Sequence, residues 1–167
     1  MEYSQARMIK VVKRYLNGDL DGHKWNYDEV MDNVFTGEIS NIGCKINNLK
    51  FAIIVNNDTV LCYHIAPLTV PEDQRAAVSE FISRVNYDMI YGNFELNFSN
   101  GELRHKTTIS EYDLLYNDTA AIEKMIHLMV LGPSVWVRYG ESLLKILFGF
   151  ADELNIEALV AESENAE

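Results

Sequence analysis

Two tight-turn signals constrain this chain more than any other feature. Asn56-Asn57-Asp58 lies between the apolar runs 51–55 and 60–65, and Ser99-Asn100-Gly101 lies between 94–98 and 102–109. Asn, Asp and Gly accept positive φ at little cost, so a short polar break of this kind turns a strand back beside itself. The run 94–98 reads Phe, Glu, Leu, Asn, Phe, the alternation of a strand with one wet face. Residues 34–42 alternate more loosely through Phe35, Gly37, Ile39 and Asn41, and 24–66 show no helical period. A meander of three or four antiparallel strands is predicted there, followed later by a second hairpin.

Helical spacing brackets these strands. Met8, Ile9, Val12, Tyr15 and Leu16 share one face of a helix over 3–16, ended by Asn17-Gly18. Arg7, Lys10 and Arg14 fall on another face, a stripe that can dock an acidic partner or simply face water. Pro71 suits the first turn of a second helix, where its missing N–H costs nothing. Val78, Phe81, Ile82, Val85 and Met89 form that helix's apolar face. Asn117 or Asp118 caps a third helix carrying Ile122, Met125, Ile126 and Met129. Gly132-Pro133 is expected to kink or split it before the spacing resumes through Trp136, Tyr139, Leu143, Leu144 and Leu147. The expected class is α+β, order α-β-β-β-α-β-β-α, with about five antiparallel strands and helices packed on the sheet. Residues 1–150 form the domain and 151–167 an acidic C-terminal tail.

Around the second hairpin the residues resemble a known family. Val85-Asn86-Tyr87, Gly92-Asn93-Phe94-Glu95-Leu96 and Asn100-Gly101-Glu102-Leu103-Arg104 are similar to the helix exit and hairpin of YbjN proteins. The element order matches over roughly residues 3–148. YbjN proteins are described as sensory or stress regulators. Their fold is similar to that of type III secretion chaperones, compact α+β homodimers that bind segments of other proteins. The resemblance implies structural roles for Asn86, Gly92, Phe94, Gly101 and Arg104, and no catalytic residue.

Charge narrows the partners. The chain carries −11, from 25 acids and 14 bases, which disfavours nucleic acid because phosphate contacts need clustered Lys and Arg. Six of those acids lie from Asp152 onward with no base among them, so much of the acidity belongs to the tail. Cys44 and Cys62 are too few for a disulfide framework and sit in apolar runs, as buried free thiols do. No charged start leads into an apolar run, and the uncharged stretch 125–137 is short of the ~20 residues of a membrane span, so a cytoplasmic protein without a membrane partner is expected.

Chemical motifs are scarce. Asn17-Gly18-Asp19-Leu20-Asp21-Gly22, with Asp28 further on, imitates half of a calcium-binding loop. Asn17 replaces the leading Asp, Asp28 a longer Glu, and Lys24 an apolar residue, so a polar helix-to-strand turn is expected instead. His23, His64, His105 and His127 show no metal-ligand spacing, although His64 and His105 fall in predicted strands and can be neighbours across a sheet. No phosphate loop, nucleophile elbow or dinucleotide fingerprint is present, and no cofactor is expected. The third helix is apolar nearly all round, which calls for cover on more than one side. Met125, Leu128, Met129, Leu131, Val135 and Trp136 are therefore the candidate interface of a homodimer. The expected function is a non-enzymatic regulatory or chaperone-like module that binds a segment of another protein. A small-molecule sensor with a pocket between helix and sheet is the alternative.

Overall fold

The computed structural model describes residues 3–149 and 155–165. It opens with α1 (Tyr3–Leu16) and a meander of β1 (Tyr27–Met31), β2 (Val34–Ser40), β3 (Asn48–Val55) and β4 (Thr59–Thr69). A short 3-10 turn after Pro71 leads into α2 (Arg75–Asp88), followed by the hairpin β5 (Asn93–Leu96) and β6 (Glu102–Ser110). Three helices close the chain: α3 (Glu111–Leu115), α4 (Asp118–Phe148) and α5 (Ile156–Asn165). β6 lies beside β4, giving one antiparallel sheet in the order β1-β2-β3-β4-β6-β5. The α+β class holds, with six strands rather than five. β1 escaped the sequence pattern because it reads Tyr-Asp-Glu-Val-Met, with four exposed residues and no alternation. It pairs from Tyr27↔Gly37 to Met31↔Val34 through a bulge.

Register places side chains in two sets. Phe35, Ile53, Cys62 and Thr107 form one row across β2, β3, β4 and β6, and Phe51, His64, His105 and Phe94 form the next. Both rows point toward the helices. Each of the five described helices contributes buried apolar residues to the core with this inward set, in two lobes. α1, α3 and the first half of α4 cover one lobe; α2, α5 and the second half of α4 cover the other. α4 thus joins the lobes. By length and composition it also meets the test for a membrane span, but here Met125, Leu128, Trp136 and Leu143 are fully buried within the chain.

Of the kink or split expected at Gly132-Pro133, the split does not occur: α4 runs unbroken through Pro133. Proline leaves the Met129 carbonyl, four residues earlier, without its helical donor. The ring of His64 lies beside that Met129 backbone group, close enough to favour a proton on the ring. The neighbouring Val130 carbonyl accepts from Ser134 Oγ at 3.0 Å. The orphaned acceptor thus faces a polar ring of the sheet rather than an apolar wall, which lowers the cost of keeping the helix whole. Gly132 makes room for this arrangement: a Cβ there would stand 2.1 Å from His64 Nδ1.

The acidic tail is corrected in part. Residues 150–154 lie outside the described set, but Ile156–Asn165 is a packed helix. Ile156 and Leu159 enter the second lobe, Ser163 Oγ meets Ser142 Oγ at 2.7 Å, and Lys145 binds Glu162 at 2.6 Å. Its Glu residues masked an apolar stripe only ten residues long. Gly132→Ala is expected to lower the unfolding free energy by about 1–3 kcal/mol in urea titration, as overpacking does. A companion His64→Ala should recover part of that loss, because it removes the atom the new methyl would strike.

Candidate functional site

The outward face of the sheet is the first candidate. Thr36, Ala52, Tyr63 and Lys106 align across four strands, flanked by Val34, Ile54 and Leu61 on one side and by Lys50, Ile65, Arg104 and Glu95 on the other. Ala52, Ile54, Leu61, Tyr63 and Ile65 belong to neither core lobe and are only half-buried. The apolar block has a fixed charged border. Arg104 binds Glu95 at 2.9 Å and Glu102 at 3.3 Å, while Lys106 also bonds Glu95. Burial alone would raise the Glu95 pKa, but the hydrogen bonds from Lys106 and Arg104 outweigh it and hold the carboxyl below its usual range. The Arg104 guanidinium also lies 4.0 Å from the centre of the Tyr63 ring, so both side chains are pre-positioned. Where β4 bulges after Ile65, a shallow depression of about 730 Å³ extends the face past Lys50, Leu68 and Glu102.

Directly behind that face lies a polar block in the core. His64 opposes His105 and Cys62 opposes Thr107, all four buried. Cys62 Sγ lies 3.8 Å from both ring nitrogens of His64, so the sulfur sits against the imidazole rather than at one nitrogen. Burial pushes the thiol up. Trp136 Nε1 donates to the His64 carbonyl at 3.1 Å. Neither nitrogen of His105 nor Thr107 Oγ1 makes a full hydrogen bond, although the Tyr91 backbone lies close enough to His105 to favour a proton there. Desolvation lowers His64 to about 3, aided by the charge of His105, and lowers His105 to about 4 against the pull of Glu95. Both are neutral packing groups at neutral pH. Among the described residues no three His, Cys, Asp or Glu side chains converge as metal ligands.

The remaining sequence-predicted residues fall into place around this block. The Asn86 amide both donates to the Phe94 carbonyl at 3.0 Å and accepts from its N–H at 2.8 Å, tying the α2 exit to β5. Phe94 packs edge-on against His105, Trp136 and Tyr139. Gly92 (φ +73°) passes over the His105 ring, and Gly101 (φ +77°) passes so close to the Val70 carbonyl that a Cβ would lie 2.3 Å from it. Asn86, Gly92 and Phe94 thus form one corner, while Gly101 and Arg104 shape the hairpin and the outward rim. In the calcium-loop look-alike, Asp21 accepts from the His23 N–H at 3.0 Å and Asp28 belongs to β1.

The candidate interface residues need correction. Met125, Leu128, Met129, Val135 and Trp136 are core, and Leu131 is half-buried against the second lobe. Two lobes instead of one sheet surface cover α4 on several sides, so its all-round apolarity does not by itself demand a second copy. Sequence periodicity missed the outward face, because half-buried strand residues look like core residues. No family model, curated protein or solved structure matches the chain.

The histidines set an acid limit on stability. Each is neutral when buried and protonates near pH 6.5 when unfolded, so the unfolded state binds more protons as pH falls below 6.5. Stability is full above that value and falls by up to about 1.4 kcal/mol per pH unit for each histidine, down to about pH 4. Urea midpoints from pH 7 to pH 4.5 should show this slope, and His105→Leu should reduce it by roughly half.

Proposed function

We propose that this chain is a non-enzymatic, YbjN-like regulatory or chaperone-like module that binds a segment of another protein on the outward face of its sheet. One observation carries the reading: the described helices pack on the inward set, and none contributes to cover over Ala52, Ile54, Leu61, Tyr63 and Ile65, which stay contiguous, half-buried and outside both core lobes. An apolar centre with a charged rim is the composition of a docking surface. Tyr63, held under Arg104, is a rigid aromatic anchor of the kind that dominates interface energetics. The resemblance around Asn86, Gly92, Phe94, Gly101 and Arg104 supports the same direction, since the type III secretion chaperone fold binds segments of other proteins. Nothing in this reading requires a covalent step or a cofactor.

A homodimer is the second part of the proposal. α4 retains an exposed apolar stripe in Ile126 (41%), Val130 (53%) and Val137 (42%), and the ring of exposed Tyr91 meets His127 beside it. The same stripe of a second copy is the simplest cover for it.

A photo-crosslinking residue at position 63 should yield a discrete protein adduct in native cells. Ile54→Glu with Leu61→Glu should abolish that adduct while shifting stability by only about 1 kcal/mol, as surface changes do. An undiminished adduct in the double variant would refute the face assignment. Light scattering should show a dimer that Val130→Glu converts to monomer, and a monomeric parent protein at micromolar concentration rules the dimer out.

A further inference from the structure

The basic stripe of α1 borders a groove. Arg7, Lys10 and Arg14 lie at steps of three and four, spanning about 10 Å along the helix axis at 1.5 Å per residue. α3 and the first turn of α4 form the facing wall. Two adjoining clefts, of about 270 and 340 Å³, share Arg7 and Leu115 in their linings. The floor is apolar: Leu114 and Ala121 are buried, and Val11 and Leu115 half-buried. Tyr3, Tyr112 and Tyr116 stand on the rim or beside it, 80%, 82% and 81% exposed.

Charge on this groove runs opposite to that of the chain. Arg14 grips Asp118 with two parallel bonds of 3.0 and 2.8 Å, and this hydrogen bonding holds the Asp118 carboxyl below its ordinary range. Glu111, the other acid in the lining, accepts a hydrogen bond from Ser4 Oγ. Asp118 is thus offset by Arg14, whereas the Ser4 hydroxyl carries no charge to offset Glu111, so three cations face two acids in the lining. Among the described residues Arg7 meets only the Tyr3 ring, at 5.7 Å, and Lys10 has no hydrogen-bond or ion-pair partner. A lining with a net positive charge, and Arg7 and Lys10 outside any ion pair among the described residues, stands out in a protein of net charge −11. Asp118 in the fork of Arg14 shows the pairing that an incoming carboxylate would repeat at Arg7.

We propose that this groove binds an acidic peptide segment, with apolar side chains on Val11 and Leu115 and carboxylates on Arg7 and Lys10. This deepens the protein-binding reading but uses a surface separate from the outward sheet face. The rest of the chain repels such a segment at long range, and moderate salt screens that field while leaving the close pairing at Arg7 and Lys10. Nucleic acid shares the negative charge, but its dense phosphates meet only two free cations here and the acidic body around them.

Fluorescence anisotropy with a labelled peptide of repeated Glu-Glu-Leu triplets tests the idea, alongside versions with Gln or Lys in place of Glu and a labelled oligo-dT. At about 0.1 M salt, where charges beyond about 10 Å are screened, the Glu peptide should bind at least about tenfold more tightly than the Gln version, a gap that closes at about 1 M. Arg7→Glu with Lys10→Glu should reverse the order in favour of the Lys peptide. If urea titration shows that this variant is unfolded, Arg7→Gln with Lys10→Gln should remove the preference instead. Equal binding of the Glu and Gln peptides, a preference that survives both variants, or tighter binding of oligo-dT overturns the proposal. The Ile54→Glu, Leu61→Glu variant should bind the Glu peptide as the parent does; loss of binding there moves the site to the sheet and also overturns it. A groove that fails this test while the position 63 adduct persists leaves the broader protein-binding reading standing.

Discussion

His64 seated in the notch of α4 is the contact on which both lobes of the core depend. Gly132 lets the helix come within reach of the imidazole, Pro133 strips the Met129 carbonyl of its helical donor, and the ring lies beside that freed backbone group. One turn on, Trp136 donates to the backbone of the same histidine. Three features of α4 that look separate in sequence therefore act on one strand residue. Because α4 contributes buried side chains to both lobes, fixing it at this point fixes the lobes relative to each other.

The cost of that arrangement is a polar block in the interior. His64, His105, Cys62 and Thr107 sit where an apolar sheet would place aliphatic residues, and His105 and Thr107 lack full hydrogen bonds. Burial keeps the histidines neutral, which makes the interior acceptable at neutral pH and progressively unfavourable in acid. The outward side of the same strands carries the opposite pattern, with apolar residues only half-buried and charges locked in pairs at the border. Polarity inside and apolarity outside depart from a plain one-sided sheet, and such departures are where function is sought.

Much of the fold was legible. The turn residues at 56–58 and 99–101 located both hairpins, and α1 matches the helix expected over 3–16. Elements that lacked a periodic signature were missed. β1 is held by pairing with β2 rather than by an apolar face, and α5 is too short and too acidic to stand out until α2 and α4 cover it. The candidate interface went wrong for a related reason. Apolar side chains from 125 to 136 show that a helix is covered on several sides, but not by what. The basic stripe on α1 was visible, whereas the groove it borders needed α3 and α4 brought alongside.

The sequence by itself determined the α+β class, the antiparallel hairpins and the helix faces, because turn geometry and side-chain periodicity are local properties. Tertiary structure decided which apolar surfaces are core and which remain open. It also paired His64 with His105, gave Gly132 and Pro133 a reason, and set Arg7 and Lys10 on the edge of a cleft. Each of these depends on strand register or on how one helix meets another, and such contacts between distant residues leave no periodic trace in the chain.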